Sequence, residues 1–262
     1  MSMIETERDA RGVARIWLSR EDKHNALSAD MMTELEEAAN RLAQDESVRV
    51  VVLAARGKSF CAGGDLAWMR AQFEMDATTR RRESARIATA LGALYALPQP
   101  LIGVVQGNAF GGGVGLAAVC DVTLGADHVK MGLTETRLGL IPANIGPYVV
   151  ARMGQVRAAE VFMNARIFDA AEAVRLNLLT RAVPADAMDA ALEAEVAPYM
   201  SCAPGAVRDA KALLRDLSGA IAPASVEAAI DALSRRWETA EAQDGIAAFF
   251  EKRPAPWVQT EP

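Results

Sequence analysis

The chain has 262 residues, 51% hydrophobic and 24% charged, which rules out a disordered protein and allows one large α/β domain or a domain with a smaller appendage. A net charge of -6 offers no basic face to a nucleic-acid backbone, and three cysteines without paired spacing (Cys61, Cys120 and Cys202) exclude a disulfide framework and a cysteine-rich metal site. No apolar run approaches the roughly 18 residues that cross a bilayer, and the charged start Met1–Asp9 lacks an apolar signal core, so a cytoplasmic protein with no membrane partner is expected.

Val13–Leu18 reads as a strand. Ser28 is placed to cap a helix in which Met31, Leu35, Ala38, Ala39 and Leu42 recur at three- and four-residue intervals. Val48–Ala54, Leu101–Val105 and Val119–Leu124 are short continuous apolar runs, the pattern of strands buried on both faces. Residues 66–97 read as helical, more polar at the start, with a mobile stretch near Met75–Thr79. Arg80–Arg82, beside Glu83, read as a solvated helix face. Strands alternating with helix-length segments predict an α/β fold with covered sheets. Beyond Pro184 the composition is helical as far as Phe250, with breaks at Pro204-Gly205 and Ala222-Pro223. The predicted organisation is a core over residues 1–197 and a helical oligomerisation region over 198–262, packed on or exchanged with a neighbouring subunit.

Only two histidines are present, His24 and His128, and neither lies in an HExxH pattern; GxSxG and Walker A motifs are missing too. Serine-triad catalysis and a histidine-rich metal site are poorly supported, and no metal is expected. The densest glycine signal, Gly107 to Gly115, follows a strand and precedes the helix-like run Leu116–Val119. Backbone N–H groups there make a cradle for developing negative charge. Two other readings compete. Gly113-Val114-Gly115-Leu116-Ala117-Ala118 fits a dinucleotide pattern with Glu135 as its ribose-binding acid, although the helix is too short. Alternatively, the glycines allow close helix–sheet packing. A second segment, Ser59 to Leu66, also follows a strand; Asp65 reads equally as a helix-start charge. Two such turns matter because an oxyanion hole needs two converging donors.

Phe60-Cys61-Ala62-Gly63-Gly64-Asp65-Leu66, Gly107-x-Ala109-x-Gly111-Gly112-Gly113, Cys120-Asp121 and Glu135-x-x-Leu138-Gly139-x-x-Pro142 together resemble the enoyl-CoA hydratase/isomerase (crotonase) superfamily. Asn25-Ala26-Leu27 and Ala247 to Arg253 fit the same pattern, so the resemblance spans almost the whole chain in the family's order. It implies a crotonase-like spiral of β-β-α units with a helical C-terminal region, assembled as a homotrimer or dimer of trimers. It makes Gly64 and Gly112 the two N–H donors to a thioester oxygen and Glu135 the general acid/base. Ala62, Gly64, Asp65, Leu66, Ala67, Gly112, Gly115 and Asn144 would contact an acyl-CoA substrate, with Lys23 and His24 near its nucleotide end. Coenzyme A is part of that substrate, and no separate cofactor is implied.

One position departs from the pattern. Many hydratases of the family carry a glutamate two residues after the triple glycine, where this chain has Gly115. The resemblance thus implies an enoyl-CoA hydratase, with a 3-enoyl to 2-enoyl-CoA isomerase as rival and a non-catalytic CoA-thioester binder as a third reading. Gly115 is expected to leave room for a bulky or anionic acyl group, and Asn144 to help hold water. Asp65 to Met69 and Pro142 to Pro147 look most like hydratases of the methylglutaconyl type, which take branched, carboxylate-bearing esters.

Overall fold

The apolar runs form the middle of a sheet. In the computed structural model, which describes residues 2–219 and 221–258, strand β1 (Ile4–Arg8) pairs antiparallel with β2 (Val13–Leu18), and helix α1 (Ala29–Gln44) leads to β3 (Val50–Ala55). A motif then repeats. Strand β3 is followed by β4 (Ser59–Cys61) and helices α2 (Leu66–Phe73) and α3 (Ala77–Tyr95). Strand β5 (Leu101–Val105) is followed by β6 (Asn108–Phe110) and α4 (Gly112–Ala118). Strand β7 (Val122–Ala126) is followed by β8 (Lys130–Gly132), a 3-10 turn at Glu135–Leu138 and α5 (Gly146–Met153). After α6 (Gln155–Phe162) come β9 (Ile167–Asp169), α7 (Ala170–Arg175) and β10 (Arg181–Val183). Each of these three repeats gives its first strand to a sheet ordered β1-β2-β3-β5-β7-β10 and its second to a sheet ordered β4-β6-β8-β9, whereas β9 joins the smaller sheet before β10 completes the larger.

All six residues of β3 and all five of β5 are buried, as a parallel sheet covered on both faces requires. Ser28 caps α1, its hydroxyl accepting from the Met31 N–H at 3.3 Å. The stripe Met31, Leu35, Ala38 and Ala39 is fully buried against the core. Residues 66–97 form two helices: Asp76 caps α3 by accepting from the Thr78 and Thr79 N–H groups, both at 3.0 Å. The expected solvated arginine face is corrected. The Arg80 guanidinium lies over the Trp237 ring and pairs with Glu238, and Arg81 pairs with Glu227 and Asp231 at 2.7 and 2.8 Å; only Arg82 is exposed. The run Val119–Leu124 starts late as a strand because Val119 ends α4 and Asp121 turns the chain, accepting from the Leu101 N–H at 2.7 Å.

Beyond β10 the described chain is helical: α8 (Met188–Met200), α9 (Pro204–Ser218), α10 (Pro223–Trp237) and α11 (Ala240–Phe250). Pro204 and Pro223 each open a helix, where a missing N–H costs nothing. The boundary drawn at 197/198 falls inside α8, and residues 259–262 of the C-terminal region lie outside the described residues. Among the described residues, no helix is long and apolar enough to cross a membrane.

Candidate active site

Strands β4, β6 and β8 lie parallel and adjacent, so their carboxyl ends open along one edge of the small sheet. The chain leaving each end carries one part of the site: Gly63-Gly64, Gly111 to Gly113, and Glu135. The glycines are required by shape. Gly63 (φ +96°) and Gly111 (φ +48°) sit in the left-handed region, and a Cβ on either Gly111 or Gly112 would be 3.9 Å from Gly63 Cα. The two turns therefore face each other closely.

Their N–H groups are sorted by a bridge to Leu27. The Leu27 N–H donates to Gly63 O at 2.7 Å, and the Asp65 N–H donates to Leu27 O at 3.0 Å. The Gly64 N–H falls between these two bonds. The Gly111 N–H donates to Gly132 O at 3.0 Å, whereas Gly112 opens α4, where an N–H has no helical acceptor. Among the described residues, neither Gly64 nor Gly112 donates its N–H to the protein. Both glycines line a cavity of about 410 Å³.

Glu135 opens the 3-10 turn on the same wall. Its Oε2 is fully buried and has no hydrogen-bond partner among the described residues, and burial pushes its pKa up to about 7. No ion pair to Arg137 forms. The turn is braced from outside: Leu140 N–H donates to Glu135 O at 3.1 Å, and Arg236 Nε donates to Gly139 O at 2.5 Å. Helix α11 packs so closely that a Cβ on Gly245 would be 2.6 Å from the Leu138 carbonyl.

Of the residues singled out by sequence, Ala62, Gly64, Leu66, Gly112, Glu135 and Asn144 line the cavity, while Asp65, Ala67 and Gly115 do not. Asp65 is the cap of α2, accepting from the Trp68 N–H at 2.9 Å and pairing with Arg20 at 2.7 Å. Burial opposes its ionisation, but these partners hold its carboxyl below the usual range. Ala67 is exposed on α2. The room expected at Gly115 is already filled: a Cβ there would be 2.5 Å from Ile145 Cγ2 and 3.1 Å from Leu91 Cδ1. Gly113 is likewise taken up by packing, its Cβ position lying 2.5 Å from Cys61 O, and α4 is wholly buried, which removes the dinucleotide reading.

Lys23 and His24 are exposed and off the cavity, although His24 O accepts from the Ala62 N–H at 3.0 Å and so helps hold the first glycine turn. Asn25 is buried and staples three loops, with Oδ1 accepting from Arg20 N–H and Nδ2 donating to Arg56 O and Ser59 O. Sequence reasoning missed Trp68, Gln72 and Ser84 on the wall. The available signal was the four-residue spacing of Trp68 and Gln72, one helix face, together with a polar Gln72 on a face that folding buries. Among the described residues, no group of three or more His, Cys, Asp or Glu gathers as a metal site.

Residues 8–260 match the family model for enoyl-CoA hydratase/isomerase. Pseudomonas aeruginosa AtuE is similar in structure, with 36% identity and a TM-score of 0.80 over 98% of this chain and 100% of that one. The structure of an enoyl-CoA hydratase from Mycobacterium avium is similar at 29% identity, with a TM-score of 0.86 over 98% of this chain and 100% of that one. Mouse mitochondrial methylglutaconyl-CoA hydratase is 30% identical over 264 residues, 95% of this chain and 80% of that protein. The β-β-α spiral is the crotonase fold, and with a match running almost end to end, the chain belongs to the enoyl-CoA hydratase/isomerase family.

Proposed function

We propose that this chain adds water across the 2,3 double bond of a 2-enoyl-CoA thioester. The observation that carries the reading is one cavity holding two uncommitted N–H groups, on Gly64 and Gly112, and one desolvated carboxyl, on Glu135. Attack at C3 moves the π electrons toward the carbonyl and places negative charge on the thioester oxygen, where two fixed donors act without reorganising; one such donor is worth about 10²–10³ in rate. With its pKa near 7, Glu135 is suited to both halves of the proton traffic. As carboxylate it takes a proton from water while the O–C3 bond forms. As carboxylic acid it then delivers that proton to C2 as the enolate collapses.

Isomerisation of a 3-enoyl ester is the second reading, and one observation favours it: among the described residues, Glu135 is the only carboxyl residue on the cavity wall. A single carboxyl suffices to move a proton between carbons. The non-catalytic reading has less support, because a site that only binds has no use for a carboxyl that buries one oxygen without a partner. Arg137 also lines the cavity, and its positive charge supports an acyl group bearing its own carboxylate. Site of action in the cytoplasm and a homotrimer or dimer of trimers complete the proposal.

The test incubates purified protein with crotonyl-CoA, a 3-enoyl-CoA and methylglutaconyl-CoA and follows the 2-enoyl absorbance. Loss of absorbance from a 2-enoyl ester supports hydration. Gain from the 3-enoyl ester alone overturns it in favour of isomerisation, and tight CoA-ester binding with no turnover favours the binder.

A further inference from the structure

Three residues of the cavity wall each carry a buried side-chain atom with no hydrogen-bond partner among the described residues: Glu135 Oε2, Asn144 Oδ1 and Trp68 Nε1. Only one of the three belongs to the machinery above. Asn144 is nine-tenths buried, and its orientation is chemically fixed. The group 2.7 Å from Ser84 O must be the amide nitrogen, because a carbonyl oxygen only accepts; Oδ1 is therefore an acceptor held in the remaining direction. The segment of α3 that supplies this carbonyl is itself tied to α2, with the Ser84 hydroxyl donating to Gln72 Oε1 at 2.8 Å. Gln72 and Ser84 line the cavity as well.

Two acceptors on one wall call for a ligand with two donors. A water molecule has two, and an ester alkyl chain has none. The neighbouring position rules out a second carboxylate from α4, since Ile145 occupies the space any side chain at Gly115 would need. We propose that Asn144 is a second catalytic residue, its Oδ1 accepting one O–H of the attacking water while Glu135 accepts the other, with Gln72 and Ser84 as positioning residues. In this step the water oxygen bonds to C3, the O–H facing Glu135 breaks and passes its proton to that carboxylate, and the O–H facing Asn144 stays intact in the product hydroxyl. Asn144 accepts but never takes a proton. An amide is adequate for that role, which explains how a site with one titrating group can direct water.

This assignment rests on the hydratase reading, and the experiment separates the two. Asn144→Leu removes the acceptor at similar volume, and Asn144→Ala guards against a folding artefact of the larger side chain. Two rates are measured on each protein: hydration of the best 2-enoyl ester from the panel, and exchange of the C2 hydrogen of a saturated acyl-CoA with D₂O by NMR. Exchange uses Glu135 and the two N–H donors but no attacking water. Hydration kcat is expected to fall about 10²-fold in both variants, the scale of a misplaced reactant, with KM and the exchange rate within a few-fold of wild type. Parallel loss of hydration and exchange would show that Asn144 only supports the site. Hydration that survives both substitutions overturns this proposal alone. A wild-type protein that exchanges but hydrates nothing overturns it together with the hydratase reading.

Discussion

Gly112 meets two requirements that can be separated. A Cβ here would lie 2.6 Å from Leu27 Cδ1, and the N–H is one of the two uncommitted donors. Gly112→Ala tests the crowding alone, against the end of a flexible side chain. Gly112→Pro adds loss of the N–H while leaving the α4 hydrogen-bond ladder intact, because a first-turn N–H has no helical acceptor. Turnover should fall by about 10²–10³ more in the proline variant than in the alanine variant. Equal losses would mean that the backbone shape, not the donor, matters. Glu135 makes a separate prediction. Its folded pKa of about 7 lies above the ordinary 4.5, so the folded state holds the proton more tightly than the unfolded chain. The stability this contributes is complete below about pH 4.5 and is lost as pH rises through about 7. Glu135→Gln does not titrate, so its Tm relative to wild type should climb from about pH 5 to pH 8, while activity falls about 10²–10⁴-fold. A flat Tm difference would show that the carboxyl is not desolvated. Gly64, Gly112 and Glu135 could be singled out because the motifs that carry the family resemblance, a glycine turn after a strand and an acid before Leu-Gly, are local patterns, and the fold brings all three to one cavity. That Asp65, Ala67 and Gly115 lie off the cavity wall was not legible, for the opposite reason. Which way a side chain points, and that Ile145 fills the space over Gly115, are decided by residues far along the chain.

At the scale of elements, the turn that carries Glu135 owes its position to a helix more than a hundred residues away. Leu140 and Ala143 form a small second core with Leu233, Trp237, Ala242 and Ile246, and the two main chains touch where Gly245 meets Leu138. Helix α11 is thus packed on its own chain, with Ile246 buried, Phe250 half-buried and Phe249 exposed at the cavity. Gly245→Ala places a methyl group 2.6 Å from the Leu138 carbonyl and must push the two apart. Overpacking of this kind costs about 1–3 kcal/mol. Because the displaced backbone carries Glu135, kcat should fall by about tenfold or more at temperatures where circular dichroism shows the variant fully folded. Wild-type kcat in a destabilised Gly245→Ala would refute the bracing role. Long elements were readable because they carry a period: the α1 stripe and the doubly buried β3 and β5 all lie close to where the pattern put them. The three-residue strands β4, β6, β8, β9 and β10 are too short to show any alternation, and β1 is a mostly exposed edge strand whose charges hide it.

For the whole molecule, α9 is built with its polarity reversed. Its basic residues turn inward: Lys211 Nζ reaches Asp121 Oδ2 at 2.5 Å and Gln99 O at 2.7 Å, Arg208 donates to Val48 O at 3.2 Å, and the Arg215 guanidinium lies 4.3 Å over the Tyr95 ring. Its leucines point outward, with Leu213, Leu214 and Leu217 exposed by 57%, 66% and 78%. Buried cations satisfied by carbonyls and a carboxylate anchor the helix without using those leucines, so the apolar stripe serves nothing within one chain. Covering it with a second copy is the simplest account, in keeping with the trimers that the family resemblance implies. Leu214→Asp combined with Leu217→Asp should leave the protomer folded, since neither side chain is part of its core, but should put two desolvated carboxylates into any contact formed there. Light scattering should then show wild type as a trimer or hexamer and the double variant at a lower mass, with unchanged far-ultraviolet circular dichroism. If wild type is monomeric at micromolar concentration, or if the variant keeps the parental mass, α9 is not the contact between copies and its outward leucines have no role in assembly.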